Sequence, residues 1–145
     1  MLRYAHIVGW GSYLPKKVLT NDDIALLVNT TDEWIRSRTG IHRRHIADEN
    51  ETTATMGFEA AARALATAGI LPQQVDMIIV ATSTSSNSFP ASASLVQDYL
   101  GAKNASAFDL SAACSGFVYG MGMATQAIAT GFINTAVIIG SETMS

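Results

Sequence analysis

Phe108-Asp109-Leu110-Ser111-Ala112-Ala113-Cys114-Ser115-Gly116-Phe117 is the stretch on which the fold turns. The segment Ala105 to Leu110 reads as a strand, Ser111 to Ala113 as a tight turn of small residues, and a helix is predicted from about Cys114 to Thr130. A strand that turns sharply into a helix exposes its turn residue at the carboxyl edge of a sheet, where α/β proteins bind ligands. The same local geometry presents the nucleophilic serine of α/β-hydrolases. The free N–H groups and positive dipole end of the helix would favour an anionic sulfur at Cys114. Against this, a lone free cysteine is among the residues most often buried as simple packing. On these residues alone, both readings of Cys114 stay open.

Around this stretch, no Asp, Glu, Lys or Arg occurs from Leu110 to Ser141. A membrane-spanning helix needs about 20 mainly apolar residues in a row. Here Ser111, Ser115, Gln126, Thr130, Gly131 and Asn134 break the run, so it reads as a buried strand-helix-strand unit ending in Thr135 to Gly140. Upstream, Val75 to Ala81 is a strand with a continuous apolar core, which implies cover on both faces. A helix from Ala91 to Leu100 stops at Gly101. Another starts at Thr52 or Thr53 and stops at Gly69, its alanines implying close packing on a sheet. Tyr4 to Trp10 reads as a first strand. Short helices follow over Asp22 to Val28 and from the capping sequence Thr30-Thr31-Asp32-Glu33 to Gly40. Strands alternating with helices predict an α/β fold with a largely parallel sheet.

Composition narrows the function classes. With 48% hydrophobic and 14% charged residues, the chain is neither disordered nor short of core material, and a net charge of -3 offers nothing to attract nucleic acid. The single cysteine leaves no internal disulfide and suits a reducing compartment. The N-terminus carries no signal-peptide pattern. Gly9-x-Gly11 is too short for a dinucleotide fingerprint. His42-x-x-His45, placed in a basic turn, lacks the further ligands a metal would need. Arg36, Arg38, Arg43 and Arg44 are four of nine Lys/Arg residues, and Trp34 stands beside them. An aromatic next to guanidinium groups suits a nucleotide with phosphates, although such runs are more often a solvated face.

Taken in order, Gly11-Ser12-Tyr13-Leu14-Pro15, Asp32-Glu33-Trp34-Ile35, Arg38-Thr39-Gly40-Ile41, Met56-Gly57-Phe58-Glu59-Ala60-Ala61 and Ala112-Ala113-Cys114-Ser115-Gly116-Phe117 resemble the N-terminal half of β-ketoacyl-acyl-carrier-protein synthases III. These are initiating condensing enzymes of the thiolase superfamily, and the resemblance covers essentially residues 1–145. It implies one half of a thiolase-like fold, a mixed, largely parallel five-stranded sheet with helices on both faces. It implies that Cys114 accepts an acyl group from acyl-coenzyme A, usually acetyl-coenzyme A, and passes it to malonyl-acyl-carrier protein after decarboxylation. No cofactor is implied, since coenzyme A arrives as substrate. Trp34, Arg38 and Thr30 match coenzyme A contacts. Phe89 matches a phenylalanine that enters the acyl pocket of the partner subunit, which implies a homodimer; the location expected is cytoplasmic.

The catalytic His and Asn of that family lie in the second half of the fold, outside these residues. His6, His42 and His45 are poor substitutes, so the chain alone is expected to be acylated slowly at most and not to condense. It reads as a piece of a longer chain, truncated or cut after about residue 145, with a large apolar interface toward the missing C-terminal half. Two alternatives remain. One is a related acyltransferase of secondary metabolism or of the 3-hydroxy-3-methylglutaryl-coenzyme A synthase type. The other is an inert half that only scaffolds a dimer, with Cys114 buried.

Overall fold

Ile78, Ile79 and Val80 form the middle of a strand and are fully buried. Burying each such side chain contributes about 1.5–3 kcal/mol, so a strand with three in a row must be covered on both faces. The computed structural model, which describes residues 3–144, provides that cover. The strand is β3 (Met77–Ala81), the centre of a parallel sheet flanked by β4 (Ser106–Leu110) and β5 (Ala136–Gly140). Helices α3 (Thr53–Ala68) and α4 (Ser92–Leu100) pack on one face through Ala61, Leu65, Ala93 and Val96. Helix α5 (Gly116–Ala129) and the loop after it cover the other, where Ile79, Ile133 and Ala127 meet.

The strands start level because one residue gathers them. Asp76 accepts hydrogen bonds at Oδ2 from the backbone N–H groups of Asn134 and Thr135, 2.7 and 3.1 Å away, and its carbonyl accepts from Ser106. They also end level, since Ala81 stands opposite Leu110 on one side and Gly140 on the other. Helix stops lie where the glycines predict. Gly40, Gly69 and Gly101 take the left-handed conformation at φ 72°, 66° and 71°.

Among the described residues there are five strands, but in two sheets rather than one. The other pair is antiparallel, β1 (Lys17–Thr20) with β2 (Arg43–Ile46), and holds α1 (Asn21–Ala25) and α2 (Asp32–Thr39) between its strands in sequence. His45 therefore lies in a strand, not in the turn expected for it, and its Nδ1 stands 2.5 Å from the Pro15 carbonyl. The predicted strand Tyr4 to Trp10 pairs with no strand among the described residues. A strand needs a neighbour to share its hydrogen bonds. This segment lies against α3 instead. A Cβ on Gly9 would come within 2.4 Å of the Ala64 carbonyl, and one on Gly11 within 2.3 Å of the Ala60 carbonyl. The Gly9-x-Gly11 spacing thus serves close backbone approach to a helix, while Ile7 and Trp10 stay 77% and 75% exposed.

Helix α5 sits on the sheet through a stripe of small residues, Gly116, Gly120 and Ala124. A Cβ at Gly116 would lie 2.9 Å from that of Ala81, and one at Gly120 would lie 3.1 Å from Ile138. Gly122, by contrast, faces open space. Four other apolar side chains of the helix, Phe117, Val118, Tyr119 and Met123, are exposed. Among the described residues no helix is long and apolar enough to cross a membrane. Gly116→Ala should destabilise the protein by about 1–3 kcal/mol, as overpacking does, and shift its urea denaturation midpoint down. An unchanged midpoint would mean that α5 is not seated on Ala81.

Candidate active site

Between the end of β4 and the start of α5 the chain has five residues in which to reverse direction. The backbone is forced to comply. Ala113 has φ 45°, the one non-glycine residue in the left-handed region among the described residues. That conformation costs an L-residue about 1–2 kcal/mol, and such strain clusters at functional turns. Ala113, Cys114 and Ser115 form a single 3-10 turn before the α-helix begins at Gly116. Cys114 accordingly lies just ahead of the helix rather than at its first residue. It is exposed, so core packing within this chain is not its role. The elbow therefore presents the sulfur at the carboxyl edge of the sheet.

A polar network fixes that edge, and the sequence reading missed it. Glu142 follows β5 and accepts hydrogen bonds from the Ser83 N–H at 2.8 Å and the Thr84 hydroxyl at 2.5 Å. The hydroxyl of the fully buried Thr53 donates to the Thr84 carbonyl at 2.7 Å, and Ser141 Oγ donates to the Thr53 carbonyl at 2.9 Å. Asp109, the residue before the last of β4, accepts from the N–H groups of Ser92 and Ala93 at 2.8 and 2.7 Å. It caps α4 in place of Ala91, whose own side chain cannot. A carboxylate two residues before a turn gave no sign in sequence that it would cap a helix starting seventeen residues earlier.

Trp34 and Arg38 come together on α2. The Arg38 guanidinium lies 5.9 Å from the centre of the Trp34 ring, a cation–π distance. Trp34 is 58% exposed, so ring and guanidinium offer one flat, cationic surface to solvent. Two of the neighbouring arginines are occupied otherwise. Arg36 pairs with Asp32 at 3.3 Å, and Arg44 donates to the Asn21 side chain at 2.8 Å. Asn21, 1% exposed, donates in turn to Asp32 and to the Ile41 carbonyl, both at 2.8 Å, and so fastens α2 in place. The Asn21 amide, and beyond it Arg36, holds the Asp32 carboxyl below the ordinary carboxylate range. Thr31, not Thr30, caps α2 by accepting from the Trp34 N–H. The Thr30 hydroxyl is the one buried side-chain polar atom without a hydrogen-bond partner among the described residues, an unmet demand on the chain just ahead of that cap.

The expected site residues thus fall into separate groups. Cys114 is in the elbow, Trp34, Arg38 and Thr30 are at α2, and Phe89, 90% exposed, is on the loop before α4. Two clefts of about 430 and 530 Å³ lie beside Gly11–Pro15 and around Tyr13, Glu51 and Tyr99, and neither is lined by any of these five. None of the three histidines lies on the elements that form the elbow. Among the described residues no group of three or more His, Cys, Asp or Glu is placed to hold a metal.

Comparison with known proteins gives a consistent picture. Residues 108–145 match the family model of 3-oxoacyl-[acyl-carrier-protein] synthase III. Over 139 residues the chain is 53% identical to a β-ketoacyl-[acyl-carrier-protein] synthase III of Ehrlichia canis, covering 96% of this chain and 44% of that protein. The crystal structure of the 3-oxoacyl-[acyl-carrier-protein] synthase III of Aquifex aeolicus superposes with a TM-score of 0.93 at 48% identity, covering 95% of this chain and 44% of that one. The priming β-ketosynthase of the R1128 polyketide pathway superposes at 0.96 with 37% identity, covering 99% and 43%. The chain spans about half the length of the relatives it matches. The fold is the N-terminal half of the thiolase-like fold these synthases share.

Asn21→Ala should leave the Arg44 guanidinium and the first turn of α2 unfastened, a loss of about 2–3 kcal/mol, seen as faster amide exchange over residues 32–39. The lowered Asp32 value fixes a sign as well. Its contribution is present above the unfolded carboxylate value and lost as pH falls through the folded one. Amide protection of α2 should therefore hold above about pH 4 and decline below it.

Proposed function

We propose that this chain, which matches the N-terminal half of a β-ketoacyl-[acyl-carrier-protein] synthase III, supplies the acyl-accepting cysteine of such an enzyme. The observation that carries the reading is the exposed Cys114 held in a strained strand-turn-helix elbow. In this reading the Cys114 thiolate attacks the carbonyl carbon of acetyl-coenzyme A. The C–S bond to Cys114 forms as that to coenzyme A breaks, and coenzyme A leaves as its thiolate. Malonyl-acyl-carrier protein then loses CO2, and the electron pair of the broken C–C bond attacks the acyl carbonyl. Cys114 departs as thiolate and the product is a β-ketoacyl-acyl-carrier protein. Backbone N–H groups, that of Cys114 among them, hold the developing oxyanion.

Coenzyme A is assigned to the α2 surface. The Trp34 ring offers a stacking face for the adenine and the Arg38 guanidinium a fork for phosphate; Thr30, just ahead of α2, is assigned as a third contact on the resemblance alone. Arg38 makes no ion pair among the described residues, which leaves its donors available. Phe89, at the tip of its loop and 90% exposed, is assigned to the acyl pocket of a second subunit. The His and Asn that complete condensation are assigned to the C-terminal half, which also covers the exposed apolar face of α5. The working enzyme is then a cytoplasmic homodimer that needs no cofactor.

A second reading has one observation in its favour. The likeness to the R1128 priming ketosynthase is as close in fold, at a TM-score of 0.96, so the acyl group could be passed to a carrier protein of secondary metabolism. Turnover with the carrier protein of fatty acid synthesis against that of a polyketide pathway separates the two.

In the full-length protein, Arg38→Ala should raise KM for acetyl-coenzyme A about tenfold, equivalent to about 1.4 kcal/mol, with kcat little changed. An unaltered KM would remove coenzyme A from α2. Incubated alone with acetyl-coenzyme A and malonyl-acyl-carrier protein, residues 1–145 should give no β-ketoacyl product. Product from this chain alone would show that it carries the whole catalytic set.

A further inference from the structure

The loop from Thr82 to Pro90 joins β3 to α4 and carries Phe89. It is held at both ends and exposed between them. At its start, Glu142 grips Ser83 and Thr84. At its end, a relay runs back to the strand that bears the elbow. Both carboxylate oxygens of Asp109 accept from the first turn of α4, at Ser92 and Ala93. The buried Ser92 places its hydroxyl 3.0 Å from that of Ser85, and Ser85 Oγ donates to the Asn87 carbonyl at 2.7 Å. Asn87 is two residues from Phe89. Asp109 is five residues from Cys114, with only Leu110 and the strained turn between them.

We propose that Asp109 is a positioning residue that ties the Phe89 loop to the nucleophile elbow, so that the elbow strand sets where Phe89 stands and thereby which acyl chain is accepted. Charge-assisted bonds to two successive N–H groups fix direction as well as distance. A neutral cap on α4 would hold the helix, but not relative to β4. The exposed residues from Ser86 to Ser88 have no other side-chain hydrogen bond among the described residues, so without the relay the loop tip is free to shift. The inference rests on the reading of Phe89 as an acyl-pocket residue.

The test is the ratio of kcat/KM for acetyl-coenzyme A to that for butyryl-coenzyme A in the full-length protein, since a uniform loss of folded enzyme cancels from it. Asp109→Ala is compared with Ser92→Ala and Ser85→Ala, which cut the relay while leaving the bonds of Asp109 to the backbone, and with Phe89→Ala. All three relay variants should move the ratio in the direction Phe89→Ala moves it, by about fivefold, the size expected for groups in one hydrogen-bond network. If Phe89→Ala moves the ratio and the relay variants leave it unchanged, Asp109 is only a helix cap and the inference falls while the reading of Phe89 stands. If Phe89→Ala leaves the ratio unchanged as well, that reading falls and the inference with it.

Discussion

The seat of Gly116 on Ala81 is the constraint from which the rest of the site follows. With 2.9 Å between Ala81 and any Cβ at position 116, only glycine lets α5 start directly on the carboxyl end of β3. Since β3, β4 and β5 end level at Ala81, Leu110 and Gly140, the chain leaves β4 and must already be helical one strand away. Five residues make the turn, and Ala113 takes the unfavourable φ of 45°. Cys114 is then turned outward. A looser helix seat would allow a relaxed turn, and the sulfur would have no fixed place.

The same close seat divides α5 into two kinds of surface. The Gly116, Gly120 and Ala124 stripe is used up on the sheet. Phe117, Val118, Tyr119 and Met123 are left exposed, together with Tyr4, Ile7, Val8 and Trp10 of the N-terminal segment. Exposed apolar area on this scale marks an interaction surface. The matched relatives, about twice as long, carry a second portion that suits the proposed role of cover. The absence of charge from Leu110 to Ser141 fits a segment packed on both sides in that way.

Most of the sheet and helices was legible because each left a local signature. The apolar run of β3, the glycine stops after α2, α3 and α4, and the small residues before Gly116 all act within a few residues of themselves. What escaped was long-range. Arg43-Arg44-His45-Ile46 looks like a basic turn, and becomes a strand only because Lys17–Thr20 lies beside it. Tyr4 to Trp10 has a strand's composition yet no partner strand among the described residues. Asp109, Glu142 and Asn21 act on residues brought near by the fold, so neither spacing nor periodicity pointed to them. Cys114, Trp34 and Arg38 were picked out in sequence. Their exposure, and the contact between the last two, came from the structure.

The most direct test of the account is the intact mass of the full-length protein before and after incubation with acetyl-coenzyme A, alongside Cys114→Ala. If Cys114 is the acyl acceptor, one acetyl group is added, maps to Cys114 and is absent from the variant. A protein that stays unmodified, or an acetyl group that persists in Cys114→Ala, would contradict that role.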